Sequence, residues 1–303
     1  MLENYYDIAI KSRAILNLVF DIEEPLHVGE RFEGSVKKIV KINISGKLVP
    51  FVPAESIKGA FRSIATMIAK RIFEKESDQE LKDVIEWHEK DIHIKEGDKE
   101  KYYESAKNWL KGSAIFYDKK IDELSENEKL NLYLSQKCPI CKLFGSRNMT
   151  SKLIFSDGCF KIKEATIPTY TSTSIDRNKG IAKKDHLFSI EYLPSSKENN
   201  LSFKIIADNV IPKTKESKLL SQTLRYILIA GLSIGGSKSR GYGLLKLNKE
   251  QSIIEVLEFI ENPKQYNEIK SNISTLLRKE GTVRKMNIDE YISYLDIHSI
   301  KYV

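Results

Sequence analysis

The feature that most constrains this chain is a glycine-rich stretch from Ala230 to Leu247. It reads AGLSIGGSKSRGYGLLKL, with Lys238 and Arg240 among its glycines. Glycine allows a positive φ and a close approach of the backbone to a ligand, and successive free N–H groups form a concave site for anions. An apolar helical pattern precedes the stretch and a short strand follows it. The pattern predicts either a loop that grips a phosphate backbone or a plain tight connection between a helix and a strand.

The order of these elements distinguishes the stretch from two common phosphate-binding motifs. The dinucleotide fingerprint and the Walker loop both follow a strand and open a helix, whereas this loop follows a helix and opens a strand. A polymer of phosphates is therefore favoured over a nucleotide cofactor.

The composition favours a polyanionic partner in a reducing compartment. The chain has 303 residues, enough for one large or two small domains, and its net charge is +7. Three cysteines do not make a disulfide framework. No basic and apolar leader opens the sequence, and no apolar run approaches membrane-spanning length. We expect a soluble, cytoplasmic protein with no membrane partner.

The first part of the chain predicts a strand, a loop and a hairpin. Alternating apolar residues over Arg13–Ile22 predict a half-buried strand. Residues 23–35, EEPLHVGERFEGS, are interrupted by proline and glycine and are interpreted as a long loop. His27 in this loop is interpreted as a solvated side chain, with a general base as the alternative. Strands are predicted at Ser35–Ile44 and Leu48–Val52, around a Ser-Gly-Lys turn.

A helix follows at residues 52–75, with Ser56 as its expected N-cap. Lys58 and Arg62 stand four residues apart on one face of its first turns. Two cations beside the free N–H groups of a helix start make a good phosphate site. The alternative is that both are ordinary solvated charges.

Residues 76–137 are strongly charged and predict a helical insertion rather than a second core. The C-x-x-C pair that follows, Cys138 and Cys141, can hold one edge of a tetrahedral zinc site. His88 and His93 from the insertion are the expected remaining ligands of a structural Zn²⁺, and Cys159 is a further candidate. The alternative is a buried turn in which the cysteines act as small apolar residues.

The second half of the chain predicts strands, a polar loop and a long helix. The predicted strands are Lys152–Lys163, His186–Leu193 and Leu201–Ile206; the polar loop is residues 168–186, and the helix is Thr214–Leu232. Taken coarsely, the regular elements run strand, helix, strand, strand, helix, strand. This order predicts an α+β fold with a ferredoxin-like, RNA-recognition-like βαββαβ core.

Four blocks carry a more specific resemblance: PAESIKGAFR (Pro53–Arg62), CPICKLFGS (Cys138–Ser146), TSIDRNKGIA (Thr173–Ala182) and GGSKSRGYG (Gly235–Gly243). In this order they resemble the repeat-associated mysterious proteins (RAMP) superfamily. More narrowly, they are similar to the backbone subunit of type III CRISPR effector complexes. The resemblance covers the chain from the first strand to Gly243 and leaves the C-terminal tail outside.

The resemblance implies an RNA-binding domain over residues 1–250, including the inserted helical region 76–137, and a C-terminal helical extension over 251–303. It implies binding to CRISPR RNA and target RNA, contact with other subunits of the effector complex, and several copies of this chain in an antiviral defence particle. The residues that it assigns to the RNA backbone are Lys37, Lys58, Gly59, Arg62, Arg177, Gly235, Gly236, Lys238, Arg240 and Gly241.

The sequence departs from the family pattern in two places. Ala54 and Glu55 replace a glycine and a serine of the first block. Active backbone subunits carry a target-cleaving aspartate in the loop after the first strand, and that position falls at Lys37. Because a lysine cannot replace a carboxylate as a base or a metal ligand, no catalytic residue is predicted. If the cleaving position lies elsewhere, the carboxylates to consider are Asp21, Glu30 and Glu33.

Two other classes of function stay open. One is a RAMP endoribonuclease that cleaves CRISPR transcripts or target RNA. The other is a protein outside CRISPR systems that binds a small anionic ligand.

Overall fold

The computed structural model describes residues 10–33, 36–74, 76–90, 96–110, 115–116, 119–120, 124–147, 149–161, 167–175, 179–259, 265–278 and 283–296. The described helices are α1 (Ala54–Phe73), α2 (Gln79–Lys90), α3 (Glu96–Leu110), α4 (Glu126–Lys137), α5 (Pro139–Phe144), α6 (Lys215–Ala230), α7 (Tyr266–Leu276) and α8 (Ile288–Asp296).

The described strands form a large sheet, a smaller sheet and a short hairpin. The strands before α4 are β1 (Ser12–Ile22), β2 (Gly29–Glu33), β3 (Val36–Ile39), β4 (Lys41–Ile44), β5 (Lys47–Val52), β6 (Ile115–Phe116) and β7 (Lys119–Lys120). The strands between α5 and α6 are β8 (Leu153–Phe155), β9 (Gly158–Lys161), β10 (Thr169–Ile175), β11 (Ala182–Glu191) and β12 (Ser196–Asp208). The last are β13 (Leu232–Ser233), β14 (Leu244–Leu247), β15 (Ile253–Glu258) and β16 (Arg284–Met286).

The predicted α+β, ferredoxin-like core is confirmed. The large sheet runs β14–β1–β12–β9 through its centre, and these neighbours are antiparallel. With α1 after β1 and α6 after β12, the chain order is βαββαβ. Alternate residues of β1, among them Leu16 and Phe20, are fully buried toward the helices. Phe20 stacks on Phe203 of β12 with ring centroids 5.3 Å apart, and Phe61 of α1 meets Phe203 edge-on.

Two predicted loops instead contain strands. Residues 29–33 form β2, and residues 169–175 and 182–191 form the paired strands of the hairpin β10–β11. Together with β3 they build the smaller sheet, in the order β10–β11–β3–β2. The polar run at residues 168–186 lacks the alternation of a half-buried strand, because exposed and half-buried residues follow one another along the described part of this hairpin.

The predicted strand Ser35–Ile44 is divided at Val40 between the two sheets. The N–H of Val40 donates to the carbonyl of Val28 at 3.0 Å, while its carbonyl accepts from the N–H of Phe51 at 3.3 Å. The backbone therefore exchanges one strand neighbour for another at this residue. The strands on either side, β3 and β4, belong to the smaller and the larger sheet respectively.

The N-cap of helix α1 lies three residues before the expected Ser56, and the side chain that caps the helix comes from elsewhere in the chain. Pro53, not Ser56, occupies the N-cap position, and it offers no side-chain acceptor. The carboxylate of Asp157, in the turn between β8 and β9, accepts instead from the N–H of Ala54 at 2.8 Å. This contact across 103 residues explains why local sequence pointed to the wrong cap.

The charged insertion contains α2, α3 and α4, which are tied together by tyrosine hydroxyls. Tyr102 donates to Asp83 at 2.6 Å and Tyr133 donates to Glu80 at 2.5 Å. Helix α2 contacts the C-terminal part of the core helix α1. Among the described residues, no helix has the length and apolar character needed to cross a bilayer.

The chain after residue 250 contains helices and also extends the large sheet. Strand β15 pairs with the first half of β1, and β16 pairs with β15. Helix α8 packs against α6 on the helical face of the sheet. The tail is therefore joined to the core through backbone hydrogen bonds.

A buried carboxylate connects α6 to the C-x-x-C block. The side chain of Glu216, in the first turn of α6, is 7% exposed and lies 3.0 Å from Lys142 and 3.7 Å from Lys152. Burial on its own raises the pKa of Glu216, but the two ammonium groups outweigh it, so the pKa is lowered overall. The ionised carboxylate therefore stabilises the fold.

We predict that Glu216→Gln destabilises the protein by about 2 kcal/mol, because two lysines lose a buried counter-ion. The loss is measured as a lower urea midpoint with an unchanged slope. Because the folded pKa lies below the unfolded one, the difference is full above about pH 4.5 and disappears as the pH falls through the folded pKa. Asp289→Asn, at the exposed Lys249–Asp289 pair, is the control and should change stability by less than about 1 kcal/mol. Equal effects of the two variants would contradict the assignment.

Candidate nucleic-acid interface

The glycine-rich stretch forms a closed loop between β13 and β14, residues 234–243, which we call the glycine loop. Its base is fastened by the N–H of Ile234, which donates to the carbonyl of Gly243 at 2.9 Å. Its tip is a short 3₁₀ turn, Lys238–Arg240, flanked by left-handed residues at Ser237 (φ +60°) and Gly241 (φ +77°). The side chains of Lys238 and Arg240 are exposed there. The loop therefore presents two cations on a tightly bent backbone, which suits an anion.

The shape of this loop depends on the segment between β1 and β2. The N–H of Gly236 donates to the carbonyl of His27 at 2.9 Å, and the N–H of Gly243 donates to the carbonyl of Pro25 at 2.9 Å. Gly235 has a φ of +89°, and a Cβ on it would lie 2.2 Å from the carbonyl oxygen of His27. Both the positive φ and the close approach of the His27 carbonyl therefore require glycine at position 235.

Lys37 lies on β3, not in a loop, and its side chain reaches the glycine loop. Its ammonium lies 3.8 Å from the position that a Cβ on Gly236 would occupy, and its Cε lies 2.8 Å from the corresponding position on Gly29. The residue expected at the cleaving position of active relatives therefore adds a third cation beside Lys238 and Arg240.

The start of α1 supplies further cations. Helix α1 contacts β13, the strand that leads into the glycine loop. Lys58 is half-buried. Its pKa is lowered, first because burial partly desolvates the ammonium group and second because the charge of Arg62 repels it. Arg62 donates to the carbonyl of Gly145 at 3.2 Å, so it also fastens the end of α5. Gly59 is exposed and a Cβ on it would meet nothing within 4 Å, so packing alone does not require this glycine.

The prediction that His27 is a solvated loop side chain is wrong. It is fully buried beneath the glycine loop, and its Nδ1 lies 2.7 Å from the carbonyl oxygen of Glu191. A general base must reach its substrate, and this ring is closed off from solvent. A catalytic role for His27 is therefore not supported.

The sequence did not reveal a group of tyrosines beside the loop. Tyr242 of the loop meets Tyr192, after β11, edge-on with ring centroids 6.2 Å apart. Burial raises the pKa of Tyr242, and Tyr192 and Tyr170 raise it further. Tyr170, on β10, is 55% exposed. Nucleobases stack on aromatic rings of this kind, but only the fold brings residues 170, 192 and 242 together.

Of the other predicted site residues, the structure describes Asp21 but not the side chains of Glu30, Glu33 and Arg177. Asp21, on β1, accepts from the side chain of Asn248 at 3.3 Å and is thus engaged in the sheet. The side chains of Glu30 and Glu33, and all of Arg177, lie outside the described parts of the chain. Their assigned roles stay predictions.

The C-x-x-C pair fits half of a zinc site. Cys138 and Cys141 are buried, and the sulfur of Cys138 caps α5 by accepting from the N–H of Cys141 at 3.5 Å. Burial raises the pKa of the Cys138 thiol, and the neighbouring Cys141 raises it further. The described residues contain no group of three or more potential ligands, and the side chains of His88 and His93 lie outside them. Zinc binding stays a prediction, which the metal content of the purified chain decides.

Comparison with known proteins gave one family. The sequence model of the RAMP superfamily matches residues 19–246. None of the curated proteins matches the chain. Among solved structures, a chain of a "Type IV-B CRISPR Complex" is similar at 16% identity and a TM-score of 0.46, over 78% of this chain and 89% of that one.

We predict that Gly235→Ala and Gly236→Ala differ sharply in stability. At position 235 a methyl group meets the carbonyl of His27 and the positive φ adds strain, so a loss of about 2 kcal/mol or more is expected. At position 236 the nearest atom to a Cβ is 3.5 Å away, an ordinary contact, and the change should stay within about 1 kcal/mol. Urea midpoints measure both values. A tolerated Gly235→Ala would mean that the loop is not held against residue 27.

Proposed function

This chain belongs to the RAMP superfamily, and from that premise we propose that it is a CRISPR RNA-binding backbone subunit of a type III effector complex. In this role the chain holds the guide RNA by its sugar-phosphate backbone and leaves the bases available for pairing with target RNA. The four blocks that resemble such subunits all lie inside the matched residues 19–246.

The observation that carries the proposal is the convergence of these four blocks. Arg62 of the first block bonds Gly145 of the second. Strand β11, which begins with the end of the third block, lies parallel to β3, the strand of Lys37. Tyr242 of the fourth block meets Tyr192 just after β11, and α1 contacts β13. Contacts between segments far apart in sequence thus link the four blocks to one another.

The chemistry of this region suits a chain of phosphates. Lys37, Lys238 and Arg240 lie on or beside a loop whose backbone suits anions, and Lys58 adds a further cation from the second turn of α1. Lysine and arginine contacts to phosphate position a nucleic acid without reading its sequence. A subunit that must accept any guide needs this kind of contact.

The tyrosines supply a second mode of contact. Tyr170, Tyr192 and Tyr242 border the same loop, and stacking on aromatic rings tolerates every base. We propose that at least Tyr170, the exposed member, supports a base of the bound RNA.

The position of Lys37 favours holding RNA over cutting it. Cleavage needs a group that activates the attacking hydroxyl, usually with a metal ion on the phosphate. A lysine ammonium pairs with phosphate but neither binds a metal cation nor removes a proton at neutral pH. As the resemblance implies, several copies along one guide, with other subunits at the ends, complete the proposed cytoplasmic assembly.

Two alternatives have different signatures. A RAMP endoribonuclease would cut CRISPR repeat RNA once at a fixed place during incubation with the purified chain. A binder of small anions would be saturated by a nucleotide and would show no dependence of affinity on RNA length.

We predict that Lys58→Ala combined with Arg240→Ala weakens binding of single-stranded RNA about tenfold, and equally for unrelated sequences. Two lost phosphate contacts should also reduce the slope of log affinity against log salt by about 1.4. Fluorescence anisotropy over a salt series measures both quantities.

The matched control removes two exposed lysines after the matched region, Lys270 on α7 and Lys285 on β16. Its net charge equals that of the test variant, so a loss common to both would indicate only overall charge. Unchanged affinity in the Lys58 and Arg240 variant would remove these residues from the RNA path.

We predict that an assembly of this chain, guide RNA and Mg²⁺ binds complementary RNA and leaves it intact, because Lys37 stands where a carboxylate is needed. Denaturing gels of end-labelled target over several hours measure the outcome. Fragments at a constant spacing would contradict it, and Asp21, Glu30 and Glu33 would then be replaced singly to find the cleaving group.

A further inference from the structure

His27 is an unusual side chain in this fold because one of its polar atoms is buried without a partner. The residue is 0% exposed, and across the described parts of the chain its Nε2 is the buried side-chain nitrogen or oxygen that lacks a hydrogen bond. Buried polar atoms without partners are rare and call for a reason.

The ring and the main chain of His27 join the smaller sheet to the glycine loop. Its Nδ1 lies 2.7 Å from the carbonyl oxygen of Glu191, at the end of β11. Its own carbonyl accepts from the N–H of Gly236 at 2.9 Å. The preceding residue, Leu26, exchanges two backbone hydrogen bonds with Leu193, at 2.8 and 2.9 Å. The hairpin β10–β11 is thereby joined to the glycine loop through two consecutive residues, Leu26 and His27.

The bond to Glu191 fixes the tautomer of the ring. A carbonyl oxygen only accepts, so Nδ1 carries the hydrogen and Nε2 of the neutral ring is a bare acceptor. The Nε2 atom lies 2.5 Å from where a Cβ on Gly29 would be, and the Lys37 Cε lies 2.8 Å from the same point. A second proton on the ring would thus stand without an acceptor and close to the Lys37 side chain.

We infer that His27 is a positioning residue whose neutral ring holds the glycine loop, Lys37 and the hairpin β10–β11 in one arrangement. The inference rests on the proposed function, because that arrangement is the one that grips phosphate. His27 itself does not touch the RNA.

The charges around the ring set the direction of its pH dependence. Lys37 faces it from β3 and Glu191 from β11, and the Glu191 carboxylate is paired with Lys41 at 3.0 Å. Burial lowers the pKa of His27, the Glu191 carbonyl opposes this, and Lys37 lowers it again, with a net lowering from 6.5. A lowered folded pKa means that the arrangement is fully stabilised above about pH 6.5 and is lost as the pH falls through the folded value.

The expected pH dependence of RNA affinity is opposite to the usual one for a phosphate-binding protein. Acidification normally strengthens phosphate binding, because protonated histidines add positive charge. Here a charged His27 repels Lys37 and releases the loop, so affinity for RNA decreases on acidification.

The test compares His27→Asn with the wild-type chain. The asparagine amide can donate to the Glu191 carbonyl as Nδ1 does, and it does not titrate. Anisotropy with a labelled single-stranded RNA at about pH 7.5 and about pH 5.5 should show a loss of affinity for wild type on acidification, up to roughly tenfold, because pH 5.5 lies about one unit below the ordinary histidine pKa. The variant should bind within about threefold of wild type at the higher pH and show no acid loss.

Two further variants sharpen the comparison. His27→Leu removes the donor to Glu191 and should bind weakly at both pH values. His186→Asn, on β11, removes another histidine and should keep the wild-type pH profile. An acid loss in His27→Asn equal to that of wild type would overturn the inference, and so would full affinity in His27→Leu.

A readout without RNA separates this inference from the proposed function. The N–H of Gly236 donates to the carbonyl of His27, so its hydrogen exchange, corrected for the intrinsic rate, reports the arrangement directly. Protection should decrease on acidification in wild type and stay constant in His27→Asn. If no RNA binds while this difference is seen, the proposed function fails and the positioning role stands. Protection independent of pH in both chains overturns the positioning role.

Discussion

Two backbone carbonyls, those of Pro25 and His27, hold the glycine loop in place. They accept from the N–H groups of Gly243 and Gly236, and the rest of the candidate site depends on these two bonds. Because the bonds are formed by main-chain atoms, the shape of the loop follows from backbone geometry and from the absence of a Cβ at Gly235. Side chains then add charge to a surface that is already formed.

The charges come from separate elements of the fold. Lys37 lies on the smaller sheet, Lys58 lies in the second turn of α1, and Lys238 and Arg240 lie on the loop itself. Each cation is held by a different part of the core, so none has to be ordered by the ligand alone. In the proposed function, such a surface would need little rearrangement to accept a phosphate, and this would reduce the entropic cost of binding.

The sequence predicted the elements whose patterns repeat locally. The alternation in β1 and the helical spacing in α1 and α6 identify the βαββαβ core, and the glycines identify the loop. Contacts between distant segments were not accessible: the Asp157 cap on α1, the exchange of neighbours at Val40 and the burial of His27 each need the folded chain. Strand β10 and the first residues of β11 were missed because their polar residues lack the alternation of a half-buried strand, whereas the predicted strand His186–Leu193 covers the second half of β11.

The length of α1 has a consequence for how the molecule approaches a polyanion. Its 20 residues span about 30 Å, with Lys58 near one end and contacts to α2 of the charged insertion near the other. Acidic residues outnumber basic ones between positions 76 and 137, although the whole chain carries +7. Lys58 and the acidic insertion thus lie at opposite ends of α1, so charges of opposite sign are separated along this helix. In the proposed function, the field of a nucleic acid would exert a torque on this separated charge and would turn the candidate interface toward the polymer before the first contact.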